Sequence, residues 1–130
     1  MADNHIPANA HYTPTDEWVR IEGGEAVIGV TWYAQDSLND VTFVELPSIG
    51  QKLNADEVFG NVESVKAQSD LHTPISGTVI AVNDEIVSSP ELVNSDPYGR
   101  GWFIKIKPTN ATDIDKLLSP DSYEQLCASR

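Results

Sequence analysis

The stretch Val58–His72 has the sequence VFGNVESVKAQSDLH, and it predicts two β-strands that meet at a turn. Its first half shows the period-two alternation of a half-buried strand. The chain becomes polar after Ala67 and apolar again at Leu71, although no Asn-Gly or Asp-Gly marks the turn. Lys66 stands among small and apolar neighbours in a chain with few basic residues. We therefore expect its ammonium group at a tight, exposed corner of a hairpin.

Short alternating segments lie on both sides of this hairpin. Gly23 and Gly24 separate two of them, so those two predict a second hairpin. Short strands with turn signals between them are typical of a mainly β fold, a sandwich or a barrel. The predicted strands outside the central hairpin are Trp18–Glu22, Ala26–Val30, Val41–Leu46, Thr78–Val82 and Trp102–Lys107, the last with Phe103 on the same face as Lys105 and Lys107.

Capping residues predict a few short helices. Thr31 can cap a helix over Trp32–Leu38, and Ser119 followed by Pro120 can start another that runs through Leu126. Ser89 and Pro90 predict one helical turn in the same way. A further short helix is expected over Thr112–Leu118.

Length and charge limit the possible functions. With 130 residues the chain is expected to form one domain, residues 13–130, preceded by a loose polar segment over residues 1–12. The net charge is −12, from 20 acidic and 8 basic residues. This charge disfavours nucleic acid and anionic membranes as partners, because both need a basic surface. The acidity indicates either a well-solvated surface or a face that steers basic partner proteins.

The ends of the chain and its single thiol add further expectations. Cys127 is the only cysteine, so no internal disulfide can form. The N-terminal residues lack the basic start and apolar run of a signal peptide, and they are not rich in arginine. These features favour a cytoplasmic protein, or a mitochondrial matrix protein if the chain is a processed form. His5, His11 and His72 show no metal-ligand spacing, so no metal site is predicted.

The hairpin carries a resemblance to a known family. Glu63-Ser64-Val65-Lys66-Ala67, with Phe59-Gly60 before it and Ser69-Asp70 after it, resembles the lipoate-attachment motif of the glycine cleavage system H-protein family. The likeness extends over roughly residues 11 to 127. Its other segments, in the order that the family shows, are Thr15–Trp18, Gly29–Gln35, Phe43–Pro47, Thr73–Gly77, Pro90–Asn94, Asp96–Gly99 and Gly101-Trp102.

This resemblance implies a lipoyl-domain-like fold, a barrel-sandwich hybrid of two antiparallel sheets, with C-terminal helices and the modified lysine at a hairpin tip. It implies a non-catalytic carrier with lipoate joined to Lys66 by an amide. The implied partners are the lipoate-attaching enzymes, a glycine decarboxylase (P protein), an aminomethyltransferase (T protein) and a dihydrolipoamide dehydrogenase (L protein). The arm would carry the aminomethyl group of glycine from the decarboxylase to the aminomethyltransferase.

The residues around Lys66 suit such a carrier. Lysine offers a long flexible stem and an amine, while Val65 and Ala67 bring no charge next to it. A tethered cofactor has a high effective concentration at a docked partner. Glu63 is expected to assist recognition by the lipoylating enzyme, and the alternative is an ordinary outward strand residue. The other lysines lack the motif and are interpreted as solvated surface charges.

By motif position, the family's cleft for the loaded arm corresponds to Thr15, Glu17, Asp70 and Thr73. A protonated amine is stabilised by a carboxylate and hydroxyls away from bulk water. The alternative is that the two acids are solvated charges and that the two threonines are local loop caps.

Other classes of protein remain open at this stage. A biotin or lipoyl domain of a carboxylase or of a 2-oxoacid dehydrogenase more often carries Met-Lys-Met or Asp-Lys-Ala at the turn. An H-like protein that donates lipoyl groups to other complexes is compatible with the sequence. A hydrolase is disfavoured, because no nucleophile and base arrangement can be identified.

Overall fold

Two antiparallel sheets, with short helices at their edges, make up the fold. The computed structural model describes residues 5–130, and for Ala111 it describes the backbone alone. In chain order the elements are β1 (His11–Tyr12), β2 (Glu17–Glu22), β3 (Glu25–Val30), α1 (Trp32–Leu38), β4 (Val41–Glu45), β5 (Lys52–Leu53), β6 (Val58–Ser64), β7 (Gln68–His72), β8 (Gly77–Val82), α2 (Asp84–Ser88), α3 (Leu92–Ser95), β9 (Ile104–Pro108), a 3-10 helix (Ala111–Lys116) and α4 (Pro120–Ala128).

The strands are divided unequally between the sheets. The larger sheet has six strands in the order β1-β2-β3-β9-β8-β5, and the smaller has three in the order β4-β6-β7. In the larger sheet β9 lies between β3 and β8. Ile104 of β9 therefore pairs with Ile28 of β3 on one side and with Val82 of β8 on the other. The expectation of a mainly β fold with two antiparallel sheets is confirmed.

One apolar core joins the sheets. Val19, Ile28 and Ile104 of the larger sheet belong to the same buried cluster as Val44 and Val62 of the smaller one. Each such side chain contributes roughly 1.5–3 kcal/mol when it leaves water. The hairpin β6–β7 is therefore anchored through its base, and its far end extends beyond the core.

The base of this hairpin departs from strict alternation. Phe59 and Val62 are both buried although they are three residues apart, while Val58 is 45% exposed. The pairing of β6 with β7 shifts register between Val58 and Gly60, and such a bulge turns both apolar side chains inward. A Cβ on Gly60 would lie 2.1 Å from the carbonyl oxygen of Glu45, so the close approach of β4 requires a glycine here.

Two of the predicted caps are confirmed. The Thr31 hydroxyl accepts a hydrogen bond from Ala34 N–H at 3.2 Å at the start of α1. The Ser119 hydroxyl accepts one from Ser122 N–H at 3.2 Å at the start of α4. The short helix expected over Thr112–Leu118 is the 3-10 helix Ala111–Lys116.

The helical turn predicted over Ser89–Leu92 is present, since Leu92 N–H donates to Ser89 O at 3.1 Å, but the predicted Ser89 side-chain cap is wrong. Helix α3 begins at Leu92 after Glu91, which makes no side-chain cap. Ser89 instead ends α2, a helix that the sequence analysis missed, and its N–H donates to Glu85 O at 2.8 Å. Asn83 caps α2 by accepting from Glu85 N–H at 3.2 Å.

Phe103 does not share a face with the lysines of β9. It is fully buried, and it precedes the first residue of β9, Ile104. Its N–H donates to Ile28 O at 2.8 Å, and its carbonyl accepts from Asn83 N–H at 3.1 Å. These bonds turn the aromatic ring into the core while Lys107 remains exposed.

The segment before residue 13 is not loose where the structure describes it. Ile6, Ala10 and Tyr12 are buried, and the Tyr12 hydroxyl donates to Pro7 O at 2.5 Å. Tyr12 N–H also donates to Leu118 O at 2.9 Å. Apolar burial therefore fixes this segment against the end of the chain, while residues 1–4 lie outside the described residues. Within residues 5–130, no helix is long and apolar enough to cross a membrane.

Candidate functional site

Lys66 lies at the tip of the β6–β7 hairpin, where the sequence predicts an exposed corner. Strand β6 ends at Ser64 and β7 begins at Gln68, and Lys66 is exposed between them. Among residues 5–130, nothing forms a hydrogen bond or an ion pair with the Lys66 ammonium group. The amine is therefore accessible, although its attachment role stays a prediction.

Ser64 organises the turn that carries this lysine. Its hydroxyl oxygen accepts from Lys66 N–H at 3.2 Å and from Ala67 N–H at 3.0 Å. Its own N–H donates to Ala67 O at 2.8 Å, which closes the turn. Val65 N–H also donates to Asp40 O at 3.3 Å, which ties the tip to the loop before β4. The backbone of Lys66 is thus fixed while its side chain is free.

The other motif residues surround the lysine without covering it. Val65 is 74% exposed, and Ala67 is exposed as well. Glu63 is half-buried on β6, opposite Phe43 of β4 and Gln68 of β7. Phe43 is 48% exposed, so a carboxylate and an aromatic ring lie side by side close to the tip.

A groove of about 210 Å³, called the hairpin groove below, runs beside the base of the tip. Three elements form its walls: the hairpin, the turn between β1 and β2, and helix α1. Residues of these walls are Ala67, Ser69, Thr15, Asp16, Ala34 and Ser37. The floor is apolar, because Val30, Val62 and Leu71 line it. A chain attached to Lys66 can fold back into this space.

Glu17 lies behind the wall of the hairpin groove that Thr15 forms. It is 1% exposed. Its Oε1 accepts from the hydroxyls of Thr13 at 2.7 Å and Thr15 at 2.5 Å, and its Oε2 accepts from His72 N–H at 3.1 Å. Burial raises the pKa of Glu17 above its ordinary value, and these hydrogen bonds oppose that rise. Both carboxyl oxygens therefore already have donors within the protein.

The structure separates the other two predicted cleft residues from this pair. Asp70 is exposed on β7 opposite Asn61, and it lines a different cavity with Glu45. Thr73 is fully buried, and its hydroxyl donates to Ile75 O at 2.7 Å, as a local loop cap does. Thr15 and Glu17 are thus brought together, and Asp70 and Thr73 are not. The role of all four in an arm cleft stays a prediction.

Sequence reasoning missed three residues of the site. Thr13 donates to Glu17, Asp16 lines the hairpin groove, and His72 places its N–H on the Glu17 carboxylate. The His72 Nδ1 is buried without a hydrogen bond and lies 3.8 Å from Glu17 Oε2. Thr13 and Asp16 belong to a segment with turn chemistry, a signal that could have marked them. In the described part of the chain, no group of three or more His, Cys, Asp or Glu residues could hold a metal ion.

Two packed antiparallel sheets with an exposed lysine at a hairpin tip define a lipoyl-domain-like fold. A solved structure supports this class: a glycine cleavage system H protein from Mycobacterium marinum is similar with a TM-score of 0.88 and 36% sequence identity. The similarity covers 95% of this chain and 99% of that one.

Sequence comparisons give the family. The family model described as "Glycine cleavage H-protein" matches residues 10–130. Similar curated proteins, all named glycine cleavage system H protein, are 53% identical in Neisseria meningitidis serogroup C, 49% in Carboxydothermus hydrogenoformans and 47% in Bacillus subtilis. Each similarity covers 92–93% of this chain and 93–95% of the relative. The chain belongs to the glycine cleavage H-protein family.

Proposed function

We propose that this protein is the lipoyl carrier of a glycine cleavage system, with the lipoyl group joined to the Lys66 amine by an amide. The observation that carries the proposal is the exposed Lys66 at the end of a turn that Ser64 holds in place. Membership of the H-protein family supports it independently. The names of the relatives favour this role over that of a lipoyl donor for other complexes.

The residues present fit an attached lipoyl group. Amide formation removes the charge of the Lys66 amine, and it breaks no contact of the amine with residues 5–130. The group, when attached, supplies a dithiolane that takes up the aminomethyl group of glycine and releases it to the next enzyme. The protein contributes a rigid mount, a long reach and a place of shelter.

The hairpin groove is the proposed shelter. Its hydroxyl-bearing walls can accept or donate hydrogen bonds, and its apolar floor can exclude water from an arm. Thr15 and Glu17 are the proposed groups next to the loaded arm. A shift of the Thr15 hydroxyl would expose the Glu17 carboxylate, an anion suited to a protonated amine. Asp70 and Thr73 are proposed for the same role on the family resemblance alone.

The proposed partners follow from the cycle. They are a glycine decarboxylase, an aminomethyltransferase, a dihydrolipoamide dehydrogenase and the enzymes that attach lipoate. The carrier itself performs no catalysis in this scheme. Glu63 is proposed as a recognition residue for the attaching enzymes, because its half-buried side chain lies on β6 next to Ser64, where the strand ends and the turn with Lys66 begins. A cytoplasmic location is proposed in view of the bacterial relatives.

Intact mass spectrometry tests the attachment. Protein from lipoate-fed cells is compared with Lys66→Arg, which keeps the charge but cannot form the same amide. Lys52→Arg serves as the matched control, because Lys52 is an exposed lysine of β5 outside the motif. We expect one lipoyl addition in the wild type and in Lys52→Arg and none in Lys66→Arg. An addition that persisted in Lys66→Arg would refute the assignment.

The second test concerns the cargo. Wild-type protein with an attached lipoyl group should accept an aminomethyl group when it is mixed with glycine and a glycine decarboxylase, and radiolabel from the methylene carbon of glycine should become bound to it. Lys66→Arg should bind none. If fully lipoylated protein bound no label, the glycine cleavage role would be wrong even though the attachment site was right.

A further inference from the structure

The turn between β1 and β2 has a backbone that needs outside support. Thr13 N–H donates to Glu17 O at 3.0 Å and Asp16 N–H donates to Thr13 O at 3.1 Å, so the turn is tight. Asp16 has φ of +71°, a left-handed conformation that residues other than glycine adopt at a cost. Such a conformation persists where surrounding contacts hold it.

Those contacts come largely from α4 and the residues that follow it. The Tyr123 hydroxyl donates to Asp16 Oδ1 at 2.8 Å. Arg130 Nη1 lies 2.9 Å from Oδ1 and 3.0 Å from Oδ2 of Asp16, and Arg130 Nη2 donates to Pro14 O at 2.9 Å. Both oxygens of the Asp16 carboxylate are thus bound by residues more than a hundred positions away in the sequence.

The Tyr123 hydroxyl is itself firmly placed. Tyr123 is fully buried, and its ring stacks on Tyr12 with centroids 4.7 Å apart and planes 7° apart. Since its hydroxyl donates to Asp16, the Thr31 hydroxyl at 2.8 Å must donate to it. Thr31 N–H also donates to Asp16 O at 2.9 Å, so the backbone and the side chain of Asp16 are both fixed. Burial raises the pKa of Tyr123, which keeps its hydroxyl protonated as a donor.

This turn is also one wall of the hairpin groove. Thr15 and Asp16 face Ala67 and Ser69 of the hairpin across it, and Glu17 follows directly in the chain. Movement of the turn would change the width of the groove and release the Thr15 hydroxyl from the Glu17 carboxylate. The groups that hold Asp16 therefore hold the shelter beside Lys66.

We propose that Tyr123 and Arg130 are positioning residues that clamp the β1–β2 turn and so hold this wall of the hairpin groove in place beside a loaded arm. The inference rests on the proposed carrier function, because the groove matters only if Lys66 bears an arm. The clamp itself can be tested on protein without any arm.

Tyr123→Phe is the main variant, since it removes the hydroxyl and keeps the buried ring. Tyr12→Phe is the matched control, because it removes a hydroxyl from the ring stacked on Tyr123, and that hydroxyl binds Pro7 O and not Asp16. Arg130→Ala and Arg130→Lys form a second pair, in which lysine restores the charge beside Asp16. Stability is measured for all four variants by urea denaturation.

The first readout uses unmodified protein. Hydrogen–deuterium exchange of a peptide that covers residues 13–17 should be about tenfold faster in Tyr123→Phe than in Tyr12→Phe, as expected for the loss of one hydrogen bond to a charged group. Arg130→Ala should also accelerate exchange there, and Arg130→Lys should restore part of the protection. Equal exchange in Tyr123→Phe and Tyr12→Phe would overturn the clamp.

The second readout uses lipoylated protein loaded with an aminomethyl group and then separated from all enzymes. Water that reaches the arm hydrolyses the aminomethyl group to ammonia and formaldehyde and leaves the free thiol. Ammonia release should be several-fold faster from Tyr123→Phe than from the wild type or Tyr12→Phe. Faster exchange with unchanged release would overturn the link between the clamp and the shelter. A chain with no lipoyl mass on Lys66 would refute the proposed function instead, and the exchange result would still decide the clamp.

Discussion

Replacement of Ser64 by alanine (Ser64→Ala) should slow lipoyl attachment to Lys66 by up to about fivefold. The Ser64 hydroxyl accepts from two N–H groups of the turn, at 3.0 Å and 3.2 Å. Both bonds are exposed, so water replaces them in the variant and their combined contribution is about 1 kcal/mol rather than the larger value of buried bonds. A loss of about 1 kcal/mol lowers the ratio of ordered to disordered turn about fivefold, and an enzyme that binds only the ordered turn is slowed by up to the same factor.

The assay is the initial rate of lipoyl transfer by a lipoate-attaching enzyme, followed by intact mass at carrier concentrations below KM. Ser69→Ala is the control, because Ser69 is an exposed serine of the same hairpin. Within residues 5–130 its hydroxyl makes one bond, a long one of 3.4 Å to Asp70 O. Ser64→Asn should recover much of the rate, since an asparagine side-chain oxygen can accept the same N–H groups.

Three outcomes would refute this reasoning. Equal rates for Ser64→Ala, Ser69→Ala and the wild type would show that the order of the turn does not limit attachment. A slow Ser64→Asn would point to recognition of the serine hydroxyl itself by the enzyme. A fall in the free energy of unfolding much larger than about 1 kcal/mol would show that the hydroxyl supports more of the fold than this turn.

Three other substitutions test the fold and the buried carboxylates. In Gly60→Ala the new Cβ would lie 2.1 Å from Glu45 O, and this clash with the backbone should lower the free energy of unfolding by about 2 kcal/mol after the entropic gain of alanine. Calorimetry should therefore show a Tm about 7 °C lower than that of the wild type. An unchanged Tm would contradict the close approach of the strands. Between the ordinary carboxyl pKa of 4.5 and the higher native pKa of Glu17, the folded state binds more protons than the unfolded state. In urea denaturation over this pH range, the free energy of unfolding of the wild type should therefore fall with rising pH relative to that of Glu17→Gln. A rise would show that the pKa of Glu17 is not raised by folding. The hydrogen bonds from Ser76 lower the pKa of Asp113 below 3.8. The free energy of unfolding of the wild type should therefore exceed that of Asp113→Asn by an amount that shrinks as pH falls through the native pKa. A difference between the two proteins that did not depend on pH would contradict the lowered pKa.

Local chemistry explains what the sequence predicted well. Thr31 and Ser119 cap their helices because a cap depends on residues within three positions of each other. The hairpin followed from its own alternation, but its bulge did not, since the bulge arises where β4 approaches Gly60. Asn83 also carries a cap signal for α2, but this signal is masked because Asn83 directly follows the strand that ends at Val82.

Long-range contacts explain what the sequence could not reveal. The contact of Tyr123 with Asp16 joins residues 107 positions apart, and no local pattern marks either as a partner of the other. The same holds for His72, whose N–H meets Glu17 across 55 positions. The family resemblance assigned Asp70 and Thr73 to one cleft with Glu17. Strand pairing instead places Asp70 beside a different cavity, and Thr73 is buried with its hydroxyl bound to Ile75 O. The positions of these site residues relative to one another are thus set by how the strands and helices pack together, which a local sequence pattern does not encode.

The central place of β9 in the larger sheet affects how the chain folds during synthesis. Strands β3 and β8 can pair with their shared neighbour only after β9 has been synthesised. Ile28 of β3 pairs with Ile104 of β9, which follows it by 76 positions in the sequence. The Lys66 hairpin, by contrast, closes between strands adjacent in the chain. On the ribosome, the turn that carries Lys66 can therefore form early in the nascent chain, while the larger sheet stays in two unjoined halves until translation is nearly finished.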